Sequence, residues 1–234
     1  MALPKLETPT YTLTLPSNDE EVKYRPFLVK EQKRIMMAQE SKDDKQMIDA
    51  ITQLISDCTF NTVNPKECPI FDAEYIFLQI RSKSVGETIK LNITCPDDKK
   101  TTVEKEIKID DIRVSVFDDH TNEVQVTDDV KMIFDYPLLS SYVLYNKTDT
   151  TQMAFTVVND CVREIHFGED VHNIKDITKK ELTDFVDSLS TEQFDKVMGF
   201  FNGMPKLRYI VEVENPKTKV KSEVKLEGLG SFLV

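Results

Sequence analysis

Residues 69–87, PIFDAEYIFLQIRSKSVGE, constrain the fold more than any other stretch. At helical spacing, Ile70, Phe71, Tyr75, Ile76, Phe77, Leu78 and Ile80 cover most of the circumference. A helix that is apolar nearly all round is a buried one, so the rest of the chain must supply partners on several sides. Pro69 suits a first helical turn. Asp72 and Glu74 stand in that turn, where negative charge favours the helix dipole, and Arg81 and Lys83 stand at the other end, where cations do. Gly86 is a natural terminator. These charges fit two roles: the caps and partner-facing groups of a buried helix, or a catalytic set against an apolar wall.

The flanking sequence predicts what surrounds this helix. YTLTL (11–15) alternates and reads as a short strand. Helix signals run from Val29 to Gln39, and a second helix begins near Asp44. Its apolar residues, Met47, Ile48, Ile51, Leu54, Ile55 and Cys58, recur at three and four, one face of a helix. After residue 87, Ile89, Leu91, Ile93 and Cys95 alternate with polar residues, as do Val103, Ile107 and Ile109. CPDDKK between them is turn chemistry, which predicts a β-hairpin with one wet face. IRVSV, NEVQV and KMIFDY predict further short strands out to residue 136.

Helices are expected to resume at Pro137. Met153, Val157, Cys161 and Ile165 form a stripe ending near Gly168. Thr178 with Glu181, and Ser190 with Gln193, read as capping boxes opening two more helices. The second of these carries Phe200 and Phe201 and stops at Gly203 and Pro205. The chain closes on a second hairpin, with Leu207, Tyr209, Val211 and Val213 facing Val220, Val224 and Leu226. Cys95-Pro96 in the first hairpin aligns with Asn215-Pro216 in the second. A helix–hairpin duplication and convergence on ordinary turn chemistry both account for that match. The predicted class is α+β: helices packed with two β-hairpins and a few short central strands. An N-terminal unit (1–136) and a C-terminal unit (137–234) are expected to pack together as one compact body.

Composition narrows the function. The chain has 234 residues and a net charge of -11, against the basic footprint of a nucleic-acid binder. No apolar run approaches the ~18 residues of a membrane span. The start lacks the apolar core of a signal peptide, which predicts a cytosolic, soluble protein. Cys58, Cys68, Cys95 and Cys161 are therefore expected to be free thiols, and the sequons at Asn92 and Asn146 to be chance matches.

The chain advertises little catalysis. Zinc needs about four Cys or His ligands, usually in paired short spacings; the Cys95 turn has no second cysteine, and His120, His166 and His172 form no close pair. No nucleophile elbow appears. His166 lies five residues after Cys161, on a different helix face. With only six glycines, phosphate-cradling loops are hard to build. Asp72/Glu74 and Asp118/Asp119 are paired acids, but a general acid and base need a shared cleft. Lys217, Lys219 and Lys221 alternate, as on the wet side of a hairpin or a protected edge. No catalytic residue, metal site or cofactor is expected.

Two long blocks carry a resemblance. YRPFLVKEQKRIMMAQES (24–41) followed by PIFDAEYIFLQIRSKSVGE (69–87) resembles the baseplate hub and hub-assembly family of T-even-type contractile-tailed bacteriophages. Its pattern runs R-P-F-L-V-K-E, a helix ending E-S, then P-I-F-D-x-E-Y-I-F-L-x-x-R-x-x-S-V-G-E. FVDSLSTEQFDKVMGFFNGMPKL (185–207) and LEGLGSFLV at the end are also similar. The resemblance implies a non-enzymatic morphogenesis protein acting in the host cytoplasm, or resident in the virion baseplate. Its implied partners are other baseplate hub proteins, in homo- or hetero-oligomers, and neither nucleic acid nor membrane. It implies a structural or partner-binding signature: Arg25, Pro26 and Phe27; Phe71, Asp72, Glu74, Tyr75, Arg81, Gly86 and Glu87; then Phe200, Phe201, Pro205 and Phe232. Arg25-Pro26-Phe27 would make a fixed approach to the first helix, since the residue before proline is held extended. Arg81 is expected to pair with Glu74, Glu87 or an acid of the 24–41 block. The terminal SFLV would suit a partner hook.

Overall fold

The computed structural model describes residues 6–116, 119–142 and 150–232. It is a mixed α+β protein. Contacts divide the chain into two compact units: residues 1–115 with 206–234 (unit 1), and residues 116–205 (unit 2). The C-terminal hairpin pairs with a strand ending at Ser115, so both flanks of the chain build unit 1.

Unit 1 opens with a hairpin, β1 (Tyr11–Thr14) and β2 (Glu21–Tyr24), followed by α1 (Val29–Ser41) and α2 (Asp44–Cys58). The Asp43 carboxylate caps α2, accepting from the amides of Lys45 and Gln46. Then come α3 (Ile70–Val85), the hairpin β3 (Thr88–Thr94) and β4 (Thr102–Lys108), and β5 (Arg113–Ser115). After unit 2, the hairpin β10 (Lys206–Glu214) and β11 (Lys221–Glu227) leads to a 3-10 turn, Leu229–Ser231. β10 lies between β11 and β5, all antiparallel.

Helix α3 is buried, as its sequence requires: Phe71, Ala73, Ile76, Phe77, Leu78 and Ile80 are all inaccessible. It packs on α2, β5 and β10. Pro69 stands one place earlier than expected, as the N-cap, and Gly86 ends the helix at φ 139. In β3 the burial alternates strictly, with Ile89, Leu91 and Ile93 inward. Both sequence-predicted hairpins form, with Ile89 opposite Ile107 and Val211 opposite Val224, while Val220, expected on the facing strand, lies before β11 and is exposed.

Unit 1's three hairpins share one turn. Leu15, Cys95 and Asn215 each precede a proline and are buried. Each accepts, at its carbonyl, the amide four residues on: Asp19 at 3.0 Å, Lys99 at 3.0 Å and Lys219 at 2.8 Å. Those residues are left-handed, with φ 58, 53 and 64. In each turn a short polar side chain, from Asn18, Asp98 or Thr218, accepts the amide two residues ahead. Such side chains imitate a backbone turn and so set its shape. The Cys95-Pro96 and Asn215-Pro216 likeness is thus a likeness of geometry, and Leu15-Pro16 is a third instance that the alternation pattern did not disclose.

Unit 2 holds a four-stranded antiparallel sheet in the order β6 (Glu123–Gln125), β7 (Val130–Phe134), β8 (Val162–Phe167), β9 (Asp170–Asn173). Its helices are α4 (Thr150–Cys161), α5 (Lys179–Asp187) and α6 (Thr191–Gly203). Both capping boxes form. The core contains Met132, Phe134, Val158, Val162, Leu182, Val186, Val197, Phe200 and Phe201.

One expected element is wrong. The stripe from Met153 to Ile165 is not a single helix: α4 ends at Cys161, and Ile165 lies in β8, opposite Met132. The alternation V-R-E-I-H-F suits a strand, and pairing with β7 overrides the helical spacing. Gly168, φ 59, turns β8 into β9 rather than ending a helix.

Candidate functional site

The resemblance-bearing residues of unit 1 meet around α3. Strand β2 ends at Tyr24, and the next residue, Arg25, donates its amide to the Cys58 carbonyl at the end of α2 (3.0 Å). Its guanidinium donates to Glu31 Oε1 (3.1 Å), the Pro26 carbonyl (2.9 Å) and the Asp57 carbonyl (3.3 Å). Glu31 is fully buried. Its other oxygen accepts the Leu28 amide at the start of α1 (2.7 Å). Burial pushes the Glu31 pKa up, but Arg25, the Leu28 amide and Lys30 outweigh it and hold the group below the usual carboxylate range. The Phe27 amide donates to Ser84 Oγ near the end of α3 (2.9 Å). R-P-F-L-V-K-E is therefore a joint that ties β2, α1, α2 and α3 together.

Asp72 and Glu74 are both buried and do not share a cleft. Asp72 accepts the amide (3.1 Å) and the hydroxyl of Ser17, in the first hairpin turn. Burial raises its pKa, and the Ser17 bonds oppose that rise. Glu74 accepts the Leu229 amide (2.7 Å); burial pushes it up to about 7, with that one bond pulling down. Gly228 stands at φ +69, and a Cβ there would lie 3.3 Å from Glu74 Oε1. The glycine of LEGLG thus lets the C-terminal segment close on α3, where Phe232 is fully buried. Both acids are internal ties that bind backbone from outside the helix.

The expected partners of Arg81 are corrected too. Lys83, not Arg81, takes Glu87 (2.6 Å). Arg81 makes no ion pair with Glu74 or with the 24–41 block among the described residues, and its buried Nη1 has no hydrogen-bond partner. Burial lowers its pKa. Tyr75 is half-buried, and Gly86 and Glu87 are exposed.

A further tie joins two hairpin tips. The Asn215 amide group, buried, donates to both oxygens of Asp97 (3.0 Å each), and Thr218 Oγ1 donates to the same carboxylate. The Thr218 and Asn215 bonds hold Asp97 below the usual range.

In unit 2, Phe200 and Phe201 are core residues and Pro205 is buried. Phe200 stacks on Phe134 (5.1 Å), Tyr136 (5.8 Å) and the His120 imidazole (5.1 Å). Burial lowers the His120 pKa, and its Nε2 has no hydrogen-bond partner. The Asp118/Asp119 pair, the Asn146 sequon and the last residues of SFLV lie outside, or partly outside, the described residues.

The chemistry of these groups is that of internal fastening. A catalytic acid and base must reach a common reacting atom, whereas Asp72 and Glu74 bind separate backbone amides. Burial pushes the Cys58 thiol up to about 12 and the Cys68 thiol to about 11, away from the thiolate that nucleophilic chemistry uses. Among the described residues, no group of three His, Cys, Asp or Glu is placed to hold a metal ion, and no helix is long and apolar enough to cross a membrane.

Fold and site together define an α+β protein whose hairpins are fastened to a buried helix by charged groups facing inward. Residues 8–234 match the family described as T4 bacteriophage base plate protein, and the chain belongs to that family. No curated protein and no solved structure matches it.

Proposed function

We propose that this chain is a non-enzymatic tail morphogenesis protein that promotes assembly of the baseplate's central hub by binding another hub protein in the host cytoplasm. Membership of the baseplate family over residues 8–234 carries the reading. The inward use of Arg25, Glu31, Asp72 and Glu74 supports it, because these groups are engaged in holding the fold. The part of the signature open to a neighbour in unit 1 is half-buried Pro26 and Phe27 with exposed Gly86 and Glu87, and we assign the partner contact there.

Affinity capture of the tagged chain from infected cells, beside the proteome of virions from the same lysate, tests this. The expected result is capture of hub proteins and absence from virions. Presence in virions at fixed stoichiometry makes the chain a permanent hub subunit instead. Capture of no baseplate protein overturns the reading, as does cell-wall clearing that disappears when one acid is replaced.

A further inference from the structure

Unit 2 contains a cleft that the family signature does not touch. It has a volume of about 440 Å³ and lies between the sheet and α5. Clefts of about 300–1,000 Å³ with apolar walls and a few polar groups are the usual shape of a binding site. Ile165 and Phe167 of β8, Ile177, and Phe185 of α5 form its walls. Phe167 is 57% exposed, and with Ile177 and Phe185 it forms one contiguous apolar lining. Contiguous apolar surface left open in a concavity marks a site of association.

The rim gives the occupant its sign. Asp176 and Glu181 line the cleft, with His172 as the other polar group. Among the described residues no lysine or arginine lines it, although Lys175, Lys179 and Lys180 are close in sequence. Glu181 is locked in place by the Thr178 amide (2.9 Å) and hydroxyl (2.7 Å), so its charge has a defined position. The whole chain carries -11, a field that draws cationic partners and repels anionic ones.

We infer that this cleft docks a segment of another protein in which a large apolar side chain is closely followed by lysine or arginine. The apolar group fills the space between Phe167 and Phe185, and the cation meets Asp176 and Glu181. A second copy of this chain is a poor occupant, since it brings the same negative field. The inference rests on reading the chain as a binding protein and names the partner's chemistry at a site distinct from the signature of unit 1.

The test pans a displayed library of random short peptides against the full-length chain. Enriched peptides should pair an aromatic or aliphatic residue with a nearby Lys or Arg. A labelled peptide of that consensus should bind more weakly as salt is raised, and at least ~10-fold more weakly to Asp176→Lys. Phe167→Ser should weaken it similarly; both positions are exposed, so the fold is retained, which circular dichroism checks. Asp49→Lys, on unit 1, should leave affinity unchanged. Enrichment of acidic or purely apolar peptides, or binding indifferent to Asp176→Lys, overturns the inference. Hub-protein capture by wild-type chain alongside such a failure would leave the hub reading standing; loss of capture would sink that reading separately.

Discussion

The core of unit 1 encloses Glu31, Asp72, Glu74 and Asn215, the last three bonded to distant parts of the chain and Glu31 to Arg25 and the Leu28 amide. Between β7 and α6, the core of unit 2 is filled by Phe134, Phe200 and Phe201 in stacked and edge contacts, with one imidazole among them. Aromatic packing is adaptable and holds wherever rings fit. Buried charges hold only in the arrangement that satisfies them, since an unpaired one is expensive. Unit 1 therefore has its geometry set by polar ties, and its stability should depend on pH; unit 2 should depend on ring volume.

Phe200→Ala should break unit 2 most severely. Losing a ring that contacts Phe134, Phe201, Tyr136 and His120 should cost about 4 kcal/mol. Hydrogen exchange by mass spectrometry should show the loss in residues 119–142 and 150–205, with unit 1 amides still protected. Equal loss in both units would dissolve the contrast. Arg25→Met should be the counterpart in unit 1, leaving Glu31 buried without its guanidinium at a cost of about 3 kcal/mol; denaturant melts at neutral pH measure it.

Glu74→Gln should act in the opposite direction. Burial raises Glu74 from 4.5 to about 7, so its protonated form is the one the fold prefers. That contribution is fully present below pH 4.5 and is lost as pH rises through 7. Glutamine keeps an acceptor for the Leu229 amide without the charge. The variant should match wild type near pH 4.5 and gain about 3 kcal/mol above pH 7, read from melts across that range. A variant less stable at high pH would show that the carboxylate is a favourable partner there. The smallest effect is expected at the hairpin tips: Asn215→Ala should cost about 1.5 kcal/mol and let the Asp97 carboxyl titrate nearer its ordinary range, which carbon-detected NMR reads directly.

Much of unit 1 was legible because its signals are local. The all-round apolar stretch became α3 and the alternation became β3, β4, β10 and β11; in unit 2 the Thr178/Glu181 and Ser190/Gln193 spacings became capping boxes. The contacts that make the site were not legible, because they are remote: Ser17 is 55 residues from Asp72, and Leu229 is 155 from Glu74. No spacing rule reaches that far, so two internal ties read as helix caps. β2 escaped because E-V-K-Y, although it alternates, is only four residues long, yet LPSNDE carried the same x-Pro-x-polar pattern as the two hairpin turns that were read, and comparing all three would have exposed it. At β8 the periodicity misled, since Ile165 satisfies a helical stripe and a strand equally.

Unit 1 is assembled from both flanks of the chain, which has a consequence for synthesis. Chains emerge from the ribosome at about 5–20 residues per second. The contiguous residues 116–205 have their own core and are complete before β10 appears. Meanwhile α3 waits, with β5 lacking its neighbour and Glu74 lacking the Leu229 amide. The nascent protein thus carries this buried helix unsealed for several seconds. Closure falls to the segment that carries Gly228, Leu229 and Phe232, so unit 1 is sealed only after the whole of unit 2 has been made.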